Sequence, residues 1–137
     1  MFKGKVVIVG ASNVGSAVLT KLLDFQLASE IALIDINEKK CEGEALDAND
    51  ATSCIHSTNI RVYHGDYSDC KDASLIIITA GPSVKPGEKP DRLILSKTNC
   101  KIMSSVMTEI TKYTKEALIL MITNPLEIGR ASCRERV

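Results

Sequence analysis

The sequence predicts an α/β fold, a doubly wound parallel sheet truncated after about five strands. Two observations carry this expectation. Short apolar runs without a polar face alternate along the chain with stretches whose apolar residues recur at helical spacing. Strands apolar on both faces belong to a sheet covered on both sides, and helical crossovers between them make that sheet parallel. The 137 residues suffice for one domain and not for two.

In chain order, the β-branched run Lys5-Val6-Val7-Ile8-Val9 is the first strand, and the stretch from Val14 to Leu27 is the first helix, with Val14, Ala17, Val18, Leu22 and Phe25 on one face. A second strand, Ile31 to Ile34, leads to a weaker helix from about Glu38 to Thr52 and a third strand, Ile60 to Tyr63. The fourth strand is the strongly apolar Leu75 to Ile78; a long helix from about Asp91 to Tyr113 precedes the fifth, Leu118 to Ile122. Right-handed crossovers make this order Rossmann-like. The segment from Gly81 to Pro90 holds three of the four prolines and two glycines, the composition of a long loop.

Lys and Arg number 17 and so do Asp and Glu, so the formal charge is zero. That balance speaks against nucleic acid or an anionic membrane as partner, because both demand a cationic surface. The N-terminal apolar run stops at Val9, too short for a signal-peptide core or a membrane span, and the expectation is a soluble, cytoplasmic protein. Five cysteines, Cys41, Cys54, Cys70, Cys100 and Cys133, form no Cys-x-x-Cys pair and have no histidines at ligand spacing. Neither a metal site nor a disulfide framework is expected; reduced thiols acting as small hydrophobes are.

After Asn124-Pro125-Leu126 the chain changes character, with three of its five arginines in the last eight residues. Residues 127–137 resemble the translation of a common sequencing-library adapter, whereas the alternative is a natural basic tail. The expectation is an incomplete domain over residues 1–126. Setting aside the tail's three arginines and two glutamates leaves 14 basic against 15 acidic residues.

Gly10-Ala11-Ser12-Asn13-Val14-Gly15 follows the first strand and opens the first helix, the context that makes such a glycine turn a dinucleotide-binding signal. Gly10 permits the turn, Gly15 permits close helix–strand packing, and the helix N-terminus offers N–H groups to a pyrophosphate. Ser12 stands where the middle glycine is usual: its β-carbon narrows the approach, and its hydroxyl can donate to a phosphate. Asp35 ends the second strand, 20 residues after Gly15. It suits the adenosine ribose hydroxyls; it also suits a helix N-cap. A carboxylate there repels a 2′-phosphate, which points to NAD over NADP.

These pieces, with Gly43-Glu44-Ala45-Leu46-Asp47, Gly65-Asp66-Tyr67-Ser68-Asp69-Cys70, Thr79-Ala80-Gly81, Lys85-Pro86-Gly87-Glu88, Arg92-Leu93 and Thr123-Asn124-Pro125, resemble the NAD-binding half of the L-lactate and malate dehydrogenase family over residues 5–126. The Gly65 to Asp69 piece is most similar to the bacterial lactate enzymes. The resemblance implies an NAD-dependent L-2-hydroxy-acid oxidoreductase, most like one interconverting pyruvate and lactate, homo-oligomeric when complete. The alternatives are a malate enzyme and a non-catalytic NAD-binding module.

By the same resemblance, Thr79, Ala80 and Gly81 line the nicotinamide side, Tyr67 lies near adenine, Asn99 near nicotinamide, and Asn124 meets both cofactor and substrate. From the residues alone, Gly81 equally ends a strand, Asn124-Pro125 equally makes a turn, and Tyr67 and Asn99 equally pack or cap. The loop Pro82 to Asp91 resembles the family's mobile lid, about two residues longer than usual. Arg92 matches the arginine that polarises the substrate carbonyl, a task suited to a permanently charged guanidinium; otherwise it is a solvated residue of the helix's first turn. Val84 occupies the substrate-reading position, where lactate enzymes carry Gln and malate enzymes Arg. An apolar reader argues for lactate or a longer apolar acid; a register slip that makes Lys85 the reader reopens malate. His56 and His64 are read as surface residues outside the chemistry, and the proton-exchanging His–Asp pair and the carboxylate-forking arginine belong to a half not present in these residues.

Overall fold

The computed structural model describes residues 4–54, 59–82 and 92–123, without the side chains of Arg92 and Leu93. Val84, Lys85, His56, Asn124 and residues 127–137 therefore lie outside the described residues, as does the guanidinium of Arg92.

Five strands, β1 (Lys5–Val9), β2 (Glu30–Ile34), β3 (Arg61–His64), β4 (Ala73–Ile78) and β5 (Leu118–Met121), form one parallel sheet in the order β3-β2-β1-β4-β5. The helices are α1 (Asn13–Asp24), α2 (Glu38–Cys54) and α3 (Arg92–Tyr113), with a short 3₁₀ helix at Tyr67–Asp72. The chain winds outward from β1 to one edge, returns to β4 and winds to the other, so β1 and β4 meet at the switch of direction. In open α/β sheets ligands bind beyond the carboxyl ends of strands at that switch.

Alternation along each strand divides the core. Val6, Ile8, Ile31, Leu33, Val62 and Ile77 point to one face, where α1 contributes Leu19, Leu22 and Leu23 and α2 contributes Cys41, Ala45 and Ala48. Val7, Val9, Ala32, Ile34, Ile76 and Ile78 point to the other, against Val106 and Ile110 of α3 and Cys70 of the 3₁₀ helix. Both faces of β1, β2 and β4 are apolar because both are covered. In β5, Ile119 and Met121 pack towards α3, whereas Leu118 and Leu120 are exposed on the other face.

Several boundaries differ from the sequence expectation by one to three residues. The first helix stops at Asp24, because Phe25 caps it and Gln26 takes a left-handed φ of 51°. The third strand runs one residue later, Arg61–His64, placing His64 half-buried within the strand and not on the surface beyond it. The fourth begins at Ala73, two residues earlier. The 3₁₀ helix was not anticipated: six residues carry no periodicity, although Asp66 and Asp69 form a reciprocal capping box at its start.

At the edge, Asn49 of α2 substitutes for a neighbouring strand. Its side-chain amide donates to the Val62 carbonyl at 2.7 Å and accepts from the Val62 N–H at 3.1 Å, so this stretch of β3 is not left open.

Candidate functional site

The glycine turn is built by close approach of backbones. Gly10 has φ +111°, and a β-carbon there would stand 2.6 Å from the Ala80 nitrogen. Its N–H donates to the Ile34 carbonyl at 2.7 Å, and its own carbonyl accepts the Thr79 hydroxyl at 2.7 Å. Below it, a β-carbon on Gly15 would meet the Gly10 carbonyl oxygen at 2.0 Å. The two glycines thus let β1, α1 and β4 converge on one point. Ser12 is the N-cap of α1, its side chain accepting from the Gly15 N–H at 3.5 Å.

Asp35 stands beside this turn. One carboxylate oxygen accepts the Ala11 N–H at 2.7 Å, and the other accepts the Asn37 N–H at 2.9 Å. The N-cap role on α2 falls instead to Asn37, whose side chain accepts from the Lys40 N–H at 3.2 Å. Asp35 is therefore a partly exposed carboxylate, held by backbone donors at the rim of the glycine turn.

Between these elements and α3 lies a cleft of about 530 Å³, within the range of small-molecule sites. Gly10, Ser12, Asp35, Tyr67, Ala80 and Gly81, all anticipated, line it. Tyr67 is half-buried in the 3₁₀ helix; burial, with Cys70 close by, raises the pKa of its phenol, which stays a neutral donor near pH 7. Asn13 and Val14 are exposed in the first turn of α1 but do not line the cleft. Three anticipated residues support it from beneath: Gly15 under the turn, Thr79 with its buried hydroxyl on Gly10, and Asn99, buried with its carboxamide oxygen 3.5 Å from where a Gly81 β-carbon would stand.

Residues that sequence reasoning missed are the strand ends Val9 and Ile34, Ile36, and the α3 wall of Lys101, Ile102, Ser105 and Val106. Ile36 is fully exposed, an apolar residue between two polar ones, which was a readable signal. The α3 set repeats at one helical turn, but only the packing of Val106 and Ile110 on the sheet decides that this stripe faces the glycine turn.

The site fits a dinucleotide. The turn that a β-carbon would fill leaves room for backbone to approach a pyrophosphate, and Asp35 lines the same cleft as a carboxylate that would accept ribose hydroxyls. The sequence profile of the lactate/malate dehydrogenase NAD-binding domain matches residues 4–136. The chain belongs to the lactate/malate dehydrogenase family. Within it, the chain is 67% identical to an L-lactate dehydrogenase of Selenomonas ruminantium, over 91% of its own length and 39% of that protein's. It is 52% identical to L-lactate dehydrogenase 2 of Clostridium acetobutylicum, over 96% of this chain and 41% of the relative. The crystal structure of a minor L-lactate dehydrogenase from Enterococcus mundtii superposes with TM-score 0.82 at 38% identity, covering 91% of this chain and 39% of that one. The chain thus spans about two fifths of the length of these relatives. It is the NAD-binding domain of this dehydrogenase family, and the cofactor is NAD.

Proposed function

We propose that the polypeptide carrying this chain is an L-lactate dehydrogenase, reducing pyruvate with NADH and oxidising lactate with NAD, and that these residues are its cofactor half. The observation that carries this reading is the cleft at the strand switch, where Gly10 and Asp35 meet, in a chain so similar to lactate dehydrogenases. The nicotinamide supplies or takes up the hydride at the substrate's C2 when bound. The chain's own residues bind and orient. The Gly10–Ser12 backbone and the first turn of α1 receive the pyrophosphate, Asp35 accepts the ribose hydroxyls, and Ala80 and Gly81 form the floor towards the reacting end.

Arg92 is the residue proposed to polarise the substrate carbonyl, Asn124 to hydrogen-bond cofactor and substrate, and Val84 to read an apolar substrate side chain. No helix among the described residues is long and apolar enough to cross a membrane. A cytoplasmic homo-oligomer acting on small 2-hydroxy and 2-oxo acids completes the reading, with residues 127–137 as adapter-derived sequence. Resequencing the source DNA across codon 127 tests the last point.

The test of function is expression of the full-length reading frame and measurement of NADH oxidation with pyruvate and with oxaloacetate. Preference for pyruvate is expected. Preference for oxaloacetate overturns the role given to Val84 and identifies a malate enzyme; NADH binding without turnover of either identifies a non-catalytic module.

A further inference from the structure

The described lining of the cleft carries two charged side chains, Asp35 and Lys101. The first is negative and held at the glycine turn by the Ala11 and Asn37 amides. Lys101 projects from α3, is exposed, and takes part in none of the ion pairs among the described residues. Its helical neighbours Ile102, Ser105 and Val106 line the same wall, so the α3 surface there is apolar except for the Ser105 hydroxyl and one ammonium.

A dinucleotide carries two negative charges on its pyrophosphate. The helix N-terminus offers them partial positive charge only, equivalent to about half an elementary charge. Asp35 in the same cleft adds a full negative charge and opposes the dianion. An ammonium on a flexible four-carbon stem is a point charge able to offset that repulsion without demanding fixed geometry. We propose that Lys101, the positive charge in the described lining of the cleft, is a cation offered to the cofactor's pyrophosphate, a specificity-determining residue on α3. This rests on the cleft being the dinucleotide site.

The experiment is titration of the full-length protein and its Lys101→Ala, Lys101→Gln and Lys101→Arg variants with NADH, ADP and adenosine, at low and high salt. Lys101→Ala and Lys101→Gln are expected to weaken NADH and ADP by roughly fivefold, the upper end of what one solvent-exposed charge contact contributes. Adenosine binding should change less than twofold, Lys101→Arg should keep most of the affinity, and the salt dependence of ADP binding should flatten in the neutral variants. ADP binding unchanged in both neutral variants overturns the proposal, and so does an equal loss for adenosine, which would place Lys101 on the nucleoside. Failure of the unsubstituted protein to bind NADH would remove the dinucleotide reading itself, a result distinct from either.

Discussion

The Thr79 hydroxyl donates to the Gly10 carbonyl across 2.7 Å, joining the end of β4 to the glycine turn in a buried site. The resemblance puts Thr79 on the nicotinamide side, but its side chain is directed beneath the turn. The same turn is closed by Asp35 on Ala11, so two side chains far apart in the chain hold its backbone in shape. Such preorganisation lets backbone N–H groups meet a ligand without first reordering.

Thr79→Val keeps the shape and deletes the donor, leaving a buried carbonyl without its partner. A loss of about 1–3 kcal/mol in denaturant unfolding is expected, with weaker ADP binding, and Thr79→Ser should recover most of both. Unaltered stability in Thr79→Val would refute the clamp.

The glycines separate by environment. Gly15→Ala sets a methyl 2.0 Å from backbone and should destabilise by at least the ~1–3 kcal/mol of an overpacked core. Gly43, inside α2, has nothing within 4 Å of an added β-carbon, so Gly43→Ala should stabilise by about 0.5–1 kcal/mol. Thermal unfolding of the two variants checks the opposite signs.

Replacing the carboxylate in Asp35→Asn removes the charge proposed to repel a 2′-phosphate while leaving one oxygen acceptor for the Ala11 N–H. The ratio of NADH to NADPH affinity should fall by about tenfold, the effect of roughly one lost charge–charge repulsion in a partly exposed cleft. An unchanged ratio in parallel fluorescence titrations would place cofactor discrimination elsewhere.

Lys5, Tyr63 and Asp69 tie β1 and β3 to the 3₁₀ helix. Lys5 and the Tyr63 hydroxyl both donate to one Asp69 oxygen, the latter at 2.7 Å. Burial opposes ionisation of Asp69, but these donors and the Asp66 N–H outweigh it and hold its pKa below the usual value. Burial likewise pulls Lys5 down, and its bonds to Asp69 and Tyr63 outweigh that and raise it. A depressed carboxyl stabilises above its unfolded pKa, near 4, and that stability fades as pH falls through the lower folded value. A raised ammonium stabilises fully below its unfolded pKa, near 10.4, and loses this as pH climbs through the folded one. Stability should therefore form a plateau between about pH 5 and 10. Asp69→Asn should flatten the acid limb in pH-dependent urea unfolding.

Thiol accessibility should follow burial. Burial pushes the Cys41 and Cys70 thiols up to about 11, with Asp35 and Asp69 respectively adding to the shift. Cys54 and Cys100 are exposed. An aromatic disulfide reagent at pH 8 should label Cys54 and Cys100 at once, and Cys41 and Cys70 only upon unfolding. Peptide mapping distinguishes the sites.

Much of this was written locally. β-branched runs such as Val6 to Val9 and Leu75 to Ile78 have no polar face, so they specify buried parallel strands before any partner is known. The turn from Gly10 to Gly15 and the acid at Asp35 are legible because turn geometry and strand ends are short-range properties. What stayed illegible depends on direction in space. Lys101 and Ser105 read as solvated positions of a helix until α3 packs on the sheet through Val106 and Ile110. That the Thr79 hydroxyl bonds the Gly10 carbonyl depends on the approach of β4 to β1, and the burial of Asn99 depends on the packing of α3.

The alternation of strands and helices, the glycine turn from Gly10 to Gly15 and the carboxylate at the end of β2 are legible along the chain, because each follows from periodicity or from the steric freedom of one residue. Which helix faces the cleft, which anticipated residues are buried behind its lining, and that Lys5 reaches Asp69, 64 residues away, emerge from packing. Those relationships arise from the order β3-β2-β1-β4-β5 and the crossovers that place α3 on one face, and no local preference encodes them.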